Sequence, residues 1–247
     1  MRRRIAALER DNAELLRSNA DLMELASVAA HELRSPLQTI VGYADLLAAG
    51  AGGDLDAENR RRLDGLRTSA ARLSALVDGL LVFARLGTAV RRREDVDLEA
   101  LVAGACEDLA ASMAAAGATV DWADLPTVRG DAAELALVVR NLVANALMHR
   151  RPDRPPAVRV SAVQSGGAWR VSVSDDGPGI DERDRERVFR AFQRGPGQGP
   201  GAGTGLGLAV CRRIVEGHGG RIWAEGNDRG GATVCFTVPI PVCWSPF

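Results

Sequence analysis

The chain has 247 residues, of which 46% are hydrophobic and 26% charged, with a formal net charge of −1. That is the balance of a globular protein of one large domain or two modest ones. Near-neutral charge excludes a global field that would favour nucleic acid or an anionic membrane surface, and the basic residues other than histidine are all Arg. Cys106, Cys211, Cys235 and Cys243 form no CxxC pair and lie at no zinc-like spacing from a histidine, so they read as reduced thiols. No stretch approaches the ~18 apolar residues of a membrane span. The Arg-rich start, Met1 to Arg4, runs into charged heptads rather than a signal peptide. A cytoplasmic chain with no membrane insertion and no nucleic-acid partner is expected.

From Ile5 the apolar period is seven: Ile5, Asn12, Asn19 and Ala26 share one core position, and Leu8, Leu15, Leu22 and Ala29 the other. This is a coiled-coil seam sustained over roughly four heptads. Paired core amides at Asn12 and Asn19 would fix register and a two-stranded state; an amphipathic surface helix is the alternative, and it would give them no purpose. The same frame continues through Leu33, Pro36, Ile40, Tyr43 and Leu47 and puts His31 on the outermost position, toward solvent. The ordinary alternative for a lone histidine is a packed, hydrogen-bonded core residue. Pro36 lacks the N–H that would bond the Glu32 carbonyl, which loosens the helix within a turn of His31.

Gly50-Ala51-Gly52-Gly53-Asp54 ends this helix. A second follows over about 56–86, with Leu63, Leu66, Ala70, Leu73, Val77, Leu80 and Ala84 as its seam. Two antiparallel helices with one apolar stripe each bury themselves poorly, whereas two copies close a four-helix bundle. A homodimer is expected. Residues 87–93, with Arg91-Arg92-Arg93, read as a linker.

Beyond it the pattern predicts a helix over 98–116, a strand over 119–123 and a helix over 131–150 capped by Asp131 or Gly130. Paired strands over 158–163 and 169–174 meet at Gln164-Ser165-Gly166-Gly167. A short helix over 184–190, a Gly/Pro-rich lid over 195–203, a helix over 205–216 and a hairpin of 221–224 with 233–238 complete the chain. The fold expected is a helical hairpin over 1–90 followed by an α/β sandwich over 94–242, not a parallel doubly wound sheet.

Asp175-Asp176-Gly177-Pro178-Gly179 follows a strand. A carboxylate there, with glycines beside it, accepts a hydrogen bond from a closely approaching ligand such as a purine amine; a simple turn is the alternative. Gly203-Thr204-Gly205-Leu206-Gly207-Leu208 opens a helix, where free N–H groups and a positive partial charge attract phosphate. It is neither a Rossmann fingerprint nor a Walker loop. Asn141 and Asn145 lie four apart on one helix face. Their neutral amide oxygens suit a hard cation that phosphates and water also hold, although such a pair can equally be structural.

Together these segments resemble the sensor histidine kinases, whose catalytic half is a GHKL-type ATP-binding domain. His31-Glu32-Leu33-Arg34-Ser35-Pro36-Leu37 is similar to the phosphoacceptor box and Asn141-Leu142-Val143-Ala144-Asn145-Ala146 to the asparagine box. Asp175 to Gly179 and Gly203 to Leu208 match the two glycine boxes, Val188 to Arg194 the phenylalanine box, and Gly231-Ala232-Thr233 the closing strand. The resemblance implies ATP and Mg²⁺ as cofactors and a response-regulator receiver domain as partner. It implies that His31 accepts the γ-phosphoryl group while Glu32 orients or deprotonates its ring. Asn145 would hold Mg²⁺ with Asn141 near the phosphates, and Asp175 would hold the adenine amine beside Gly177 and Gly179. Arg194 and the backbone of Thr204, Gly205, Leu206 and Gly207 would engage phosphates, and His149 would touch the nucleotide.

The sequence departs from the family at Met148 and His149, where a Lys and then an aromatic are common; Arg150 or Arg151 is the expected replacement charge. Ser35 stands where phosphatase-competent members carry Thr or Asn. A degenerate kinase that scaffolds a regulator is the alternative function. An upstream sensor region or a separate sensor partner is expected to act through residues 5–29.

Overall fold

Asp56 starts the clearest helix of the first half of the chain. Its Oδ1 accepts the Asn59 N–H at 2.6 Å, and Glu58 adds a carboxylate to the first turn, where helix N–H groups lack partners. This helix, α2, spans Ala57–Arg85; α1 comprises helical residues 36–47. The computed structural model describes residues 29–30, 32–33, 36–47, 56–85, 92–193 and 205–241. The coiled coil expected up to Ala29 lies outside these residues except for Ala29 itself, as do His31, the turn at 50–54, linker residues 87–91 and the lid at 195–203. The chain divides into two compact units, Met1–Ala89 and Val90–Phe247.

In the first unit Ala30, Leu37 and Val77 form a buried cluster with Leu80 against it. Ala44 and Ala70 are buried as well. The Arg67 guanidinium meets Asp45 at 2.8 Å, so residue 45 faces 67 while 37 faces 77, an antiparallel pairing. The seam expected on α1 is not the face that closes this hairpin. Leu33, Ile40, Tyr43 and Leu47 are 49%, 45%, 66% and 63% exposed, and Leu66 and Leu73 of α2 are 48% and 47% exposed. The physical reason is size. Alanines at 30, 44 and 70 let the two helices of one chain approach closely, which leaves the bulky row facing outward.

The second unit is two layers. Its sheet has the order β2-β4-β5-β7-β6, with β2 (Thr119–Trp122), β4 (Ala157–Ser165), β5 (Ala168–Ser174), β6 (Ile222–Gly226) and β7 (Ala232–Pro239). Only β2 and β4 run parallel. Valines 158, 160, 171, 173, 234 and 238 and Phe236 turn inward. They are covered by α3 (Leu98–Asp108), α5 (Ala132–Met148) and α6 (Gly207–Gly217). The interior of α5 supplies Leu135, Val138, Val139, Leu142 and Val143, and α6 supplies Val210, Ile214 and Val215. The expected sandwich is present.

Several elements differ from expectation. The helix over 98–116 is interrupted at Leu109, giving α3 and a separate α4, Ala110–Ala116. Glu107 and Asp108 end α3, and carboxylates at a C-terminus oppose the helix dipole. Residues 184–190 form no α-helix but parts of two 3₁₀ turns, Glu182–Asp184 and Arg187–Phe189. Phe189 is the only buried side chain in those turns, too little anchoring for so short a helix. A small antiparallel pair, β1 (Glu94–Asp97) with β3 (Thr127–Gly130), escapes the sequence pattern because each strand buries a single apolar side chain, Val96 and Val128.

Asp131 caps α5, its Oδ1 accepting the Glu134 N–H at 3.1 Å. His218 ends α6, as its Gly-flanked position suggests, but also reaches across to this cap. The Asp131 N–H donates to its Nε2 at 3.0 Å, and Nδ1 lies 2.9 Å from the Ile214 carbonyl. That pattern requires the Nδ1–H tautomer, and the ring, 3% exposed, ties the end of α6 to the start of α5. Replacing it by a similarly sized apolar group strands the Asp131 N–H, while the Ile214 carbonyl keeps the backbone N–H of residue 218. His218→Leu is expected to lower stability by roughly 1–3 kcal/mol, read as a lower urea midpoint; an unchanged midpoint would contradict this role.

Candidate nucleotide site

Strand β5 delivers Asp175 to the edge of the helical layer. Its N–H donates to the Ala232 carbonyl at 2.9 Å. Its carboxylate Oδ1 accepts the N–H groups of Gly177 at 2.9 Å and Ala232 at 3.1 Å. Burial pushes this carboxyl above the usual aspartate range, and the two N–H bonds pull the other way. Oδ2 makes no hydrogen bond among the described residues and is not sealed away from solvent. Gly177 tolerates no side chain: a Cβ would overlap the His149 carbonyl and come within 2.9 Å of Asp175 Oδ1. The neighbouring Asp176 turns elsewhere, accepting the Ala157 N–H at 3.0 Å and pairing with Arg154 Nε at 3.0 Å. Two adjacent carboxylates thus diverge into separate tasks.

Along α5, Asn141, Asn145 and His149 recur every four residues and are each half-buried. The Cys211 thiol of α6 donates to the Val138 carbonyl of α5 at 3.8 Å. That thiol is fully buried and pushed up to about 12 by desolvation, so it is packing rather than a nucleophile. The Asn145 side chain has no protein partner among the described residues. His149 ends α5; burial lowers its pKa, and the nearby Asp175 charge opposes the shift.

At the other end, α6 begins with no side-chain cap at Leu206, so the N–H groups of its first turn lack intrahelical partners. A Cβ on Gly207 would lie 3.9 Å from Asn141 Cγ, which places Asn141 beside this terminus. Gly205 precedes it, its carbonyl accepting the Phe192 N–H at 2.9 Å. Gly179 sits behind Gly177, its Cβ position 3.1 Å from the Gly230 carbonyl.

Asp175, Gly177 and His149 therefore adjoin, as do Asn141 and Gly207. Glu32 is exposed on a helical stretch of the first unit. His31, Arg194 and Thr204 lie outside the described residues. Of the two arginines expected to replace the missing charge, Arg150 Nη1 holds the Leu147 carbonyl in the last turn of α5 at 3.1 Å, and Arg151 binds the loop carbonyls of Gly177 at 3.0 Å and Gly230 at 3.2 Å. Asn227, whose amide bonds the Asp175 carbonyl at 2.8 Å, is a site residue that sequence reasoning missed. Its Asn-Asp-Arg-Gly context announces a turn and nothing about a partner 52 positions away.

An open carboxylate oxygen, an unpartnered amide and an uncapped helix N-terminus suit the amine, the cation and the phosphates of a nucleotide. Fold and site define an ATPase-type nucleotide module carried behind a helical hairpin. Residues 130–242 match the model for histidine kinase-, DNA gyrase B- and HSP90-like ATPases, and residues 21–89 match the His Kinase A (phospho-acceptor) domain. The chain belongs to the sensor histidine kinase family.

Phytochrome-like protein Cph1 of Synechocystis sp. is 34% identical over 92% of this chain and 30% of its own length. Sensor histidine kinase TrcS of Mycobacterium tuberculosis is 35% identical over 94% of this chain and 46% of its own. Full-length ShkA, solved in complex with AMPPNP, superposes with a TM-score of 0.68 at 32% identity, covering 91% of this chain and 47% of that one. The chain thus spans about 30% of the length of the first curated relatives it matches. No helix among the described residues is long and apolar enough to cross a membrane.

The raised pKa of Asp175 has a definite sign. A carboxyl that binds its proton more tightly in the folded than in the unfolded state adds stability as pH falls through its folded pKa and lowers it at neutral pH. Asp175→Asn keeps an oxygen for the Gly177 and Ala232 N–H groups. At pH 7.5 the variant, without nucleotide, is expected to be at least as stable as the parent and to gain less on moving to about pH 5. It should also lose ATP binding. Urea titrations at both pH values and a nucleotide titration check this; a parent that gains nothing over the variant on acidification would contradict it.

Proposed function

We propose that this chain is the catalytic part of an ATP-dependent protein-histidine kinase that phosphorylates itself on His31 and passes the group to an aspartate of a response-regulator receiver domain. The observation that carries it is the open oxygen of Asp175 in a site that also presents the uncapped start of α6 and the free amide of Asn145. That this site accompanies a phospho-acceptor hairpin supports autophosphorylation over hydrolysis alone. The family's ATPase description and the likeness to a kinase solved with AMPPNP support ATP as the nucleotide.

Asp175 takes the adenine amine, with Gly177, Gly179 and His149 around the base. The N–H groups of Gly205, Leu206 and Gly207, with Thr204 and Arg194, take the phosphates. Asn145 holds Mg²⁺, which supplies charge neutralisation on the phosphates, and Asn141 lies beside them. A ring nitrogen of His31 bonds to the γ-phosphorus as the bond to the β–γ bridging oxygen breaks and ADP leaves; Glu32 orients the ring and receives its proton. Such transfer depends mainly on alignment and charge stabilisation. ATP supply places the reaction in the cytoplasm. Two copies pair through the bulky outward row of the hairpin, and a sensor region or sensor partner acts on residues 5–29.

Incubation with γ-labelled ATP should give acid-labile, alkali-stable phosphate that His31→Gln abolishes. Label surviving in that variant would remove His31 as acceptor, and ATP binding without any label would favour a regulator-binding scaffold. The double change Ile40→Glu with Leu66→Glu should raise the dimer dissociation constant at least tenfold, since each buried branched side chain contributes about 1.5–3 kcal/mol. Sedimentation equilibrium reads this, and an unshifted equilibrium would place the interface elsewhere.

A further inference from the structure

The turn between β6 and β7 makes more contact with Asp175 than a connection between two strands requires. Asn227 stands at its start with every side-chain position used. Nδ2 donates to the carbonyls of Asp175 at 2.8 Å and Ala232 at 3.0 Å, and Oδ1 accepts the N–H groups of Arg229 at 3.1 Å and Gly231 at 3.0 Å. Two carbonyls on one side and two N–H groups on the other admit a single amide orientation. At the far end of the turn, Ala232 donates to Asp175 Oδ1 and accepts from the Asp175 N–H. Between them Gly231 packs so close that a Cβ there would run into the Asp175 carbonyl and lie 2.9 Å from Oδ1. Arg151 adds a second tie, joining Gly230 to Gly177 across the same gap.

These bonds hold the backbone of Asp175, and one of its carboxylate oxygens, from two sides. The direction of the remaining oxygen is therefore set by the turn and not by Asp175 alone. A carboxylate held still distinguishes purines by the group at position 6. An amine donates to it, whereas a carbonyl presents lone pairs to lone pairs, and a site rejects such a mismatch only if its acceptor cannot swing aside.

We propose that Asn227 is the positioning residue for base selection: by clamping Asp175 it makes the purine 6-amine count toward binding. This rests on Asp175 being the amine acceptor. The Asn227 amide never touches the nucleotide in this scheme; it acts through Asp175.

A chemical double-mutant cycle on the full chain separates the two ideas. Dissociation constants for ATP and for purine riboside triphosphate, which lacks the 6-amine, are measured for the parent, Asn227→Ala and Asn227→Asp. Deleting the amine should weaken binding to the parent roughly tenfold, the worth of one well-placed charged hydrogen bond. In both variants the same deletion should cost no more than about threefold, with the ATP-over-GTP preference reduced in parallel and the rate at saturating ATP changed less than affinity. Asn227→Asp is nearly isosteric but turns oxygens toward the two carbonyls, so a space-filling role would leave it like the parent. Thermal melts confirm folding of each protein; should one variant not fold, the other decides, and if neither folds, parent-like amine dependence in Asn227→Ser overturns the proposal while its loss upholds it. An undiminished tenfold effect in folded variants overturns the positioning role. No effect of the amine in the parent overturns the reading of Asp175 on which it rests.

Discussion

A carboxylate kept largely out of water needs donors that cannot drift away, and most of what surrounds the nucleotide site follows from meeting that need at Asp175. Backbone N–H groups serve because strand pairing and a tight turn already hold them in place. The Ala232 N–H comes from the start of the interior strand β7 and the Gly177 N–H from the loop itself. The loop can fold back that tightly only where side chains are missing. Gly177 clears the His149 carbonyl and Gly231 clears the Asp175 carbonyl, so glycines that read as room for a ligand also make room for the protein's own backbone. Burial still raises the carboxyl's pKa despite both bonds. The folded chain therefore keeps a strained acceptor whose second oxygen a ligand donor can satisfy.

The opposite end of the site works by omission. Leu206 supplies no cap to α6, and a helix start without one offers its N–H groups to whatever anion arrives. The helix does not drift for want of a cap, because His218 secures its far end to the start of α5. Stability comes from the end remote from the ligand, which leaves the near end free for binding.

How much of this could be read from the sequence depended on whether the cause was local. The α5 cap at Asp131 and the hairpin of β4 and β5 arise from neighbours within a few residues or from a clear hydrophobic period, and each stands where expected. The seam of α1 does not close the hairpin within one chain, for a reason of scale. The heptad pattern marks which residues are apolar, but only the sizes at 30, 44 and 70 decide which stripe closes the hairpin and which stays outside. β1 and β3 were invisible because Val96 and Val128 are their only inward-facing apolar side chains. The bonds of Asn227 and Arg151 could not be read from the sequence because their partners are 52 and 26 or 79 positions away. No local propensity encodes such a bond.

The two described histidines bear on the proposed phosphoacceptor. An imidazole that is to bond phosphorus needs a ring nitrogen with no standing obligation. His218 has none to offer, with Nε2 held by the Asp131 N–H and Nδ1 by the Ile214 carbonyl in a ring 3% exposed. His149 is half-buried beside Asp175, the proposed base end of the site, whereas the phosphates are proposed to lie at the start of α6 by Asn141 and Gly207. A histidine at the base end faces the wrong part of the nucleotide. Both observations accord with the proposal that His31, within the stretch that matches the phospho-acceptor domain, takes the phosphoryl group.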